Sequence, residues 1–205
     1  MIYSVRGKLI HKEPFLAVVE CGGVGYACRT TCMICFGMTA SQLGETGTEV
    51  SLYTYLYVRE DNVELFGFYS MQELNCFKML ISVSGVGPKA ALSILSDIDA
   101  QRFALTIASG ESKVFTKTKG VGPKLAQRIV LELKDKIAKE NISAADIKAS
   151  GNVFVPAGDN CSEAVSALMV LGFSQEEVAS AVSKIDPALD TGEIVKQALK
   201  IIGNK

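Results

Sequence analysis

The sequence predicts a multidomain α+β protein with a small N-terminal β-barrel, a helical middle and a C-terminal three-helix bundle. Three observations lead to this class. Apolar residues alternate with a period of two up to residue 69, and from Ser70 the period becomes about 3.6. Residues 141–160 lose both patterns before helical spacing resumes. With 205 residues, 48% of them apolar, the chain is long enough for several small domains that each bury a core.

The first 69 residues contain five short segments rich in β-branched and aromatic side chains. Turn signals such as Cys21-Gly22-Gly23-Val24-Gly25 separate them. Five short antiparallel strands in about 70 residues predict a small barrel at residues 1–69, and an OB-fold is the commonest barrel of that size. The predicted strands are Tyr3–Leu9, Phe15–Glu20, Tyr26–Cys32, Val50–Val58 and Val63–Tyr69.

Residues 70–140 contain the same five-residue string twice. Gly-Val-Gly-Pro-Lys begins at Gly85 and again at Gly120, 35 residues later, and a helix-forming sequence follows each copy. Glycines with positive φ let another backbone approach closely, and proline at the first helical position loses no hydrogen bond. The string therefore predicts two turns whose N–H groups, helix dipole and lysine bind phosphate. The predicted phosphate-binding residues are Gly85, Val86, Gly87 and Lys89, and then Gly120, Val121, Gly122 and Lys124.

These glycines have two other interpretations. Gly85-x-Gly87-x-x-Ala90 matches the dinucleotide-binding fingerprint, which needs a preceding strand and an acidic residue about 20 positions later. Here helical spacing precedes the string, and Asp97 and Asp99 come too early. The other interpretation is that the glycines only allow tight packing of two helices. The sequence contains no G-x-x-x-x-G-K-[ST] string, which excludes a P-loop ATPase.

The charges are unevenly distributed along the chain. The net charge is −2 over residues 1–69, +4 over residues 70–140 and −3 over residues 141–205. A basic middle between two acidic ends favours contact between the middle segment and a polyanion. The overall net charge of −1 excludes a uniformly basic protein that coats DNA.

The cysteines suggest a rival function. Cys28-x3-Cys32-x2-Cys35 has the spacing of a radical-SAM cluster motif. Four residues of a strand span about 13 Å, which is too far for ligands of one cluster, so we predict small buried apolar residues and no metal or other cofactor. No transmembrane stretch or signal peptide is evident, and we expect a cytoplasmic protein with reduced thiols.

Two features of the barrel segment have competing interpretations. Tyr53, Tyr55 and Tyr57 share one face of the fourth predicted strand, where they could stack on single-stranded bases or pack against a neighbouring subunit. We favour packing, because the phosphate-binding signal lies in the middle segment instead. His11, the only histidine, falls in a predicted turn and is expected at the surface.

The C-terminal part is predicted to be a separate helical module. Residues 141–157 are rich in Ser, Ala, Gly, Asn and Asp, which predicts a flexible linker. Residues 158–205 have the pattern of a small three-helix, UBA-like bundle. Gly172 is a suitable helix C-terminus, and Ser174 with Glu177 forms the pattern of a capping box.

Across its whole length the chain resembles the RuvA family, which combines an OB-fold barrel with tandem helix–hairpin–helix motifs that bind DNA backbones. The paired Gly-Val-Gly-Pro-Lys turns carry this resemblance. Further matching strings are Gly22-Gly23-Val24-Gly25-Tyr26, Val58-Arg59-Glu60-Asp61, Leu65-Phe66-Gly67-Phe68 and Leu168-Met169-Val170-Leu171-Gly172-Phe173.

The resemblance implies a homotetramer with fourfold symmetry that binds an open four-way (Holliday) junction, either alone or as two tetramers enclosing the DNA. Glu60 and Asp61 match the family's acidic pin at the crossover. Lys89, Lys124 and Arg128 match its backbone-contacting positions. Pro123 stands where some members carry another basic residue, so the second turn is expected to hold its DNA arm through fewer charges.

The resemblance also implies protein partners. The C-terminal module matches the part that recruits the RuvB ATPase motor, with Leu168, Leu171 and Phe173 on the expected contact face, and the RuvC resolvase is a further implied partner. We therefore expect a non-catalytic DNA-binding subunit, without catalytic residues, that acts in recombination, DNA repair and the SOS response. A general repair factor that binds nicked or single-stranded DNA and a pure protein–protein adaptor are the alternatives.

Overall fold

The computed structural model of the protein describes residues 1–31, 44–147, 159–170 and 172–203. The chain divides into two compact units. The first comprises Met1–Ile81 with Gly87–Ile98, and the second comprises Ser82–Val86 with Asp99–Lys205. The helical residues that follow the barrel up to Ile81, together with Gly87–Ile98, belong to the first unit.

The first unit contains the predicted five-stranded barrel. Its strands close in the order β1-β2-β3-β5-β4. The prediction that all strands pair antiparallel was wrong, because β3 and β5 pair in parallel, with Cys28 opposite Leu65. A closed ring with an odd number of strands cannot alternate direction at every junction, so at least one pair has to be parallel. The strands are β1 Ser4–Glu13, β2 Leu16–Cys21, β3 Val24–Arg29, β4 Glu49–Val58 and β5 Val63–Phe68.

Helix α1, Met71–Ile81, packs against the barrel through Phe77. The Phe77 ring centroid lies 4.9 Å from that of Phe68 and 5.0 Å from that of Phe66. The helix begins at a polar cap, in which the Glu73 N–H donates to Ser70 Oγ at 3.2 Å and the Tyr69 N–H donates to the Glu73 carboxylate at 3.0 Å. Helix α2, Pro88–Asp97, follows in the same unit.

The regular secondary structure of the second unit consists of helices alone in its described residues. Helix α3, Ala100–Ser109, begins at a cap in which Asp99 accepts a hydrogen bond from the Arg102 N–H at 2.7 Å. It ends at Gly110, whose φ of +79° is the left-handed conformation that glycine adopts without strain. The remaining helices are a 3-10 helix at Ser112–Lys117, α4 Pro123–Ile147, α5 Asp159–Val170, α6 Gln175–Val182 and α7 Thr191–Gly203.

The first residues of the segment predicted as a linker, 141–157, are helical in the structure. Helix α4 continues to Ile147 because no glycine or proline interrupts the sequence after Pro123 before Gly151. The rest of the predicted linker lies outside the described residues. Across the gap, α5 packs against α4, and α7 packs against α3. The C-terminal helices therefore belong to the same compact unit as the second glycine turn.

The caps of the C-terminal helices largely match the prediction. Ser174 and Glu177 form the expected capping box, with both reciprocal hydrogen bonds present. Helix α7 begins at Thr191, and the preceding Asp190 carboxylate caps it by accepting a hydrogen bond from the Glu193 N–H at 3.1 Å. Helix α6 ends at Val182.

Two sequence predictions, that the chain has no transmembrane helix and no metal site, can be compared with the structure only in the described residues. Among the described residues no helix combines the length and apolar character needed to cross a bilayer. The same residues contain no group of three or more side chains that could hold a metal ion. Cys28 is buried in the barrel, and this burial, followed by the charge of Cys21, raises the pKa of its thiol to about 12. Cys32 and Cys35 lie outside the described residues.

Candidate nucleic-acid interface

The first glycine turn joins α1 to α2. The Val83 carbonyl accepts a hydrogen bond from the Val86 N–H at 3.1 Å, and the Gly87 carbonyl accepts one from the Ala91 N–H at 3.0 Å. Gly85 lies between these bonds with a φ of +89°, so a residue with a side chain would be strained there. The Val86 side chain is buried. The turn is therefore fixed by backbone bonds and by one apolar anchor.

The second glycine turn repeats this geometry 35 residues later. The Thr118 carbonyl accepts from the Val121 N–H at 3.1 Å, and the Gly122 carbonyl accepts from the Ala126 N–H at 3.0 Å. Gly120 has a φ of +88°, and Val121 is buried. The sequence repeat is therefore also a repeat of hydrogen bonds, backbone angles and burial.

The second glycine of each turn has a different role from the predicted one. Gly87 has a φ of −88° and a ψ of 167°, an extended conformation open to any residue type. Gly122 is likewise absent from the positions with positive φ. A Cβ atom added at Gly87 or Gly122 would meet nothing within 4 Å. The fold therefore does not need glycine at these two positions, and the space in front of them is open.

Each turn leads into a helix whose N-terminus is electrostatically positive. Pro88 and Pro123 occupy the first helical positions. The N–H groups of a first helical turn have no acceptor within the helix, and the helix dipole adds partial positive charge. Neither α2 nor α4 has an acidic residue in its first turn to neutralise that charge. Lys89 and Lys124 follow the prolines and are exposed, so each turn presents an anion-binding arrangement.

One face of α4 holds the segment that precedes the first turn. Arg128 Nη1 donates to the Ser84 carbonyl at 3.4 Å, and Glu132 accepts from the Ser84 N–H at 3.4 Å. One turn further along α4, Lys136 Nζ donates to the Ser82 carbonyl at 3.1 Å and to Ser82 Oγ at 2.7 Å. The first turn is thereby fixed to the helix that follows the second turn.

Sequence reasoning missed Glu132 and Lys136. Their signal was the spacing of Arg128, Glu132 and Lys136 at i, i+4 and i+8 on one helix face. Arg128 was predicted to contact DNA, and the structure gives it partners within the chain as well. Its side chain remains 54% exposed, so part of the guanidinium is still available to a ligand.

Glu60 and Asp61 lie at the tip of the β4–β5 hairpin and are exposed. The Arg59 N–H donates to the Asn62 carbonyl at 2.8 Å and closes the turn beneath them. The Arg59 guanidinium carbon lies 5.2 Å from the centroid of the Tyr57 ring, in cation–π range. The two carboxylates therefore project from a hairpin whose base is fixed.

The tyrosines of β4 pack within their own chain. The Tyr55 ring lies 5.7 Å from Phe77 of α1, and the Tyr57 ring lies 6.2 Å from Phe66. Tyr53 is half-buried and contacts Tyr3 at 6.3 Å. Neither a base-stacking platform nor a subunit contact is needed to explain them, because α1 covers part of this face.

The predicted motor-contact residues differ in exposure. Leu168 is fully buried, so in this conformation its side chain stabilises the helical module and does not face a partner. Phe173 is half-buried, and the neighbouring Met169 is 42% exposed. Leu171 lies outside the described residues. His11 is exposed as expected, and its Nε2 lies 2.7 Å from Glu13 Oε1.

Comparison with known protein families matches most of the chain, in three segments. Residues 1–67 match the RuvA N terminal domain. Residues 77–135 match a SAM-like helix-hairpin-helix tandem, which includes both glycine turns. Residues 159–203 match the RuvA C-terminal domain.

Curated relatives match over nearly their full length. A protein of Acetivibrio thermocellus is 48% identical over 202 residues, which cover 98% of both chains. One of Ruminiclostridium cellulolyticum is 43% identical over 202 residues, covering 98% of this chain and 99% of the relative. One of Marinobacter nauticus is 38% identical over 210 residues, covering 98% and 97%. All three are described as Holliday junction branch migration complex subunit RuvA.

Proposed function

The chain belongs to the RuvA family, and on that premise we propose that it is a non-catalytic subunit that binds four-way DNA junctions for an ATP-driven branch-migration motor. Its relatives are described as subunits of a Holliday junction branch migration complex. The proposal assigns DNA binding to the glycine turns, junction selectivity to the β4–β5 hairpin and motor recruitment to the C-terminal helices.

The observation that carries the proposal is the structural repeat of the two turns. Both open a helix with proline and lysine, and Gly87 and Gly122 leave open space where a side chain would be tolerated. Open space in front of a positive helix N-terminus allows a phosphate to reach the backbone N–H groups. Phosphate contacts of this kind hold a duplex without reading its bases, as binding to a junction of any sequence requires.

We assign Glu60 and Asp61 the role of keeping the junction centre open. In a homotetramer with fourfold symmetry the hairpin tip recurs around one axis, and the carboxylates face the point where the DNA arms meet. Carboxylates repel phosphates, so a continuous duplex across the centre is disfavoured while an open junction is accepted. The fixed base of the hairpin supports this role, because a rigid tip holds the charges in place.

The C-terminal helices are proposed to recruit the RuvB motor, with the RuvC resolvase as a further partner of the assembly. Phe173 and Leu171 are the proposed contact residues, whereas Leu168 belongs to the core of the module. The exposed Met169 adds apolar surface to the same module. The acidic character of residues 141–205 agrees with a protein partner better than with phosphate contact.

A gel shift with three DNA substrates of matched sequence tests the proposal. A four-way junction, a linear duplex and a single strand are each titrated with the full chain at one salt concentration, since DNA affinities depend on salt. Tightest binding to the junction is expected. Preference for the single strand would favour a general repair factor, and no binding to any substrate would favour a protein–protein adaptor.

A further inference from the structure

The first unit contains a cavity of about 310 Å³ between the barrel and α2. Phe15, Phe66 and Leu92 form its apolar walls, and Arg29, Glu64 and Lys89 contribute charged groups. Small-molecule pockets in proteins span about 300 to 1,000 Å³, so this cavity suits a single small group. Of these lining residues, only Lys89 has a function assigned so far.

One apolar wall presents accessible aromatic surface. Phe15 is 37% exposed and lies at the β1–β2 turn with a φ of +65°. Phe66 is 1% exposed and packs against Phe77, so it contributes to the floor of the cavity without offering a free ring face. A planar aromatic ligand would gain a stacking contact with Phe15 that an aliphatic one would not.

The charged groups supply both donors and an acceptor. Arg29 Nε lies 3.6 Å from Glu64 Oε1, which is an ion pair too long for a strong hydrogen bond. The remaining guanidinium donors and the second carboxylate oxygen are therefore available to a ligand. Glu64 repels a purely anionic ligand, whereas the edge of a nucleobase carries amino donors together with ring and carbonyl acceptors.

Lys89 connects this cavity to the first glycine turn. It lines the cavity and also stands in the first turn of α2, directly after Gly87 and Pro88. A phosphate bound at this helix N-terminus would therefore have its nucleoside within reach of the cavity mouth. We propose that the cavity receives the base of one unpaired nucleotide whose phosphate is held by Gly87 and Lys89.

This inference rests on the proposed function and adds that the bound junction carries an unpaired nucleotide at its crossover. Moving a junction requires base pairs to break in one duplex before they form in another, so unpaired nucleotides arise at the crossover. A site that accepts one such base stabilises the opened state. Base–aromatic stacking changes affinity by about tenfold or more, which sets the size of the expected effect.

The test compares a fully paired four-way junction with one that has identical arms and a single unpaired adenine at the crossover. The wild-type chain is expected to bind the second junction about tenfold more tightly. Phe15→Ala removes a wall, and Ser93→Trp fills the cavity from α2. Both variants should bind the paired junction like the wild type but lose the preference for the unpaired base.

Val24→Ala is the matched control, because Val24 is an exposed apolar residue at the start of β3 and is absent from the cavity lining. It should keep the preference. Equal wild-type affinity for both junctions, or a preference that survives Phe15→Ala and Ser93→Trp, would overturn the cavity assignment and leave junction binding intact. A shift in oligomeric state in Ser93→Trp, with unchanged selectivity, would show that a second copy of the chain occupies the cavity. Failure to bind either junction would instead refute the proposed function.

Discussion

The guanidinium of Arg128 donates a hydrogen bond to the carbonyl oxygen of Ser84 across 44 positions of sequence, at a distance of 3.4 Å. Arg128 Nη1 also lies 3.8 Å from the position that a Cβ atom at Gly85 would take. The residue expected to hold one DNA arm therefore also positions the turn proposed to hold another.

The contact between Lys136 and Ser82 gives a first prediction about this coupling. Lys136→Met removes two hydrogen bonds to Ser82 and should lower junction affinity by about fivefold, because the first turn becomes less fixed. Lys134→Met removes the same charge from the same helix and serves as the control. Gel shift at one salt concentration measures both, and amide exchange of residues 82–86 should rise only in Lys136→Met. Equal effects of the two variants would show that only charge matters.

The open space at Gly87 gives a second prediction. Gly87→Ala should leave the melting temperature unchanged or slightly higher, since φ is −88° and no atom opposes the new methyl group. It should weaken junction binding by about tenfold or more, because the methyl group obstructs a phosphate. Gly85→Ala should behave differently and cost about 1 kcal/mol of stability through its positive φ. Thermal melts and gel shifts separate the two effects, and full junction affinity in Gly87→Ala would exclude close backbone contact.

The lysines of the two turns give a third prediction. In a plot of log affinity against log salt, each phosphate contact contributes a slope of about −0.9. Lys89→Ala with Lys124→Ala should therefore make the slope visibly shallower for any DNA sequence. Lys184→Ala, which removes an exposed charge from the C-terminal helices, should leave it unchanged. A slope that stays constant in the double variant would mean that the turns are structural only.

The hairpin tip gives a fourth prediction. Glu60→Gln with Asp61→Asn removes two exposed negative charges without altering the turn, which the Arg59–Asn62 backbone hydrogen bond closes. Binding to plain duplex should tighten, and discrimination in favour of the junction should fall, because the repulsion is gone. Glu13→Gln, an exposed carboxylate on β1, is the control. If the affinity for duplex DNA is unchanged, Glu60 and Asp61 are turn residues with no role in discriminating between junction and duplex.

Glu73 gives a prediction about pH. Burial raises the pKa of this carboxyl above its ordinary 4.5, against the lowering effect of hydrogen bonds from the Tyr69 and Ser70 backbone. The folded state then disfavours the ionised form, so the stability contribution of Glu73 is present at low pH and is lost as pH rises through the raised pKa. Glu73→Gln keeps an acceptor for the cap and cannot ionise.

The melting temperature of Glu73→Gln relative to wild type should therefore increase between about pH 4 and about pH 7. Glu111→Gln, at an exposed position, controls for the general loss of a negative charge. A constant difference across this range would mean that Glu73 ionises in the folded protein as it does in the unfolded chain.

The local features of this fold were predictable from the sequence. The five strands, the caps at Asp99 and Ser174, and the prolines that open α2 and α4 all depend on residues a few positions apart. The positive φ of Gly85 was predictable for the same reason. Periodicity and capping chemistry act over one or two turns of chain, so a single sequence is sufficient to reveal them.

The features that were missed depend on residues far apart in the chain. The sequence around Ser82 does not predict its hydrogen bond with Lys136, which lies 54 positions away. The contact between Tyr55 and Phe77 depends on how α1 packs against the barrel. The cavity joins Phe15 to the helix that begins at Pro88. Leu168 resembles a contact residue in the sequence but is fully buried in the structure, because burial depends on tertiary packing.

Closure of the barrel has a consequence for how copies of this chain could associate. Among the described strands, β1 pairs with β4 along Ser4–Lys8 and with β2 along Lys8–Glu13, and β3 meets β5 through two residue pairs, so closure leaves only short stretches of unpaired strand. A long unpaired edge invites a strand from another chain, and that kind of pairing can continue from molecule to molecule into a fibre. Closing the ring therefore lowers the tendency of this domain to aggregate by strand addition. Contacts between copies of these described strands would then depend mainly on side chains.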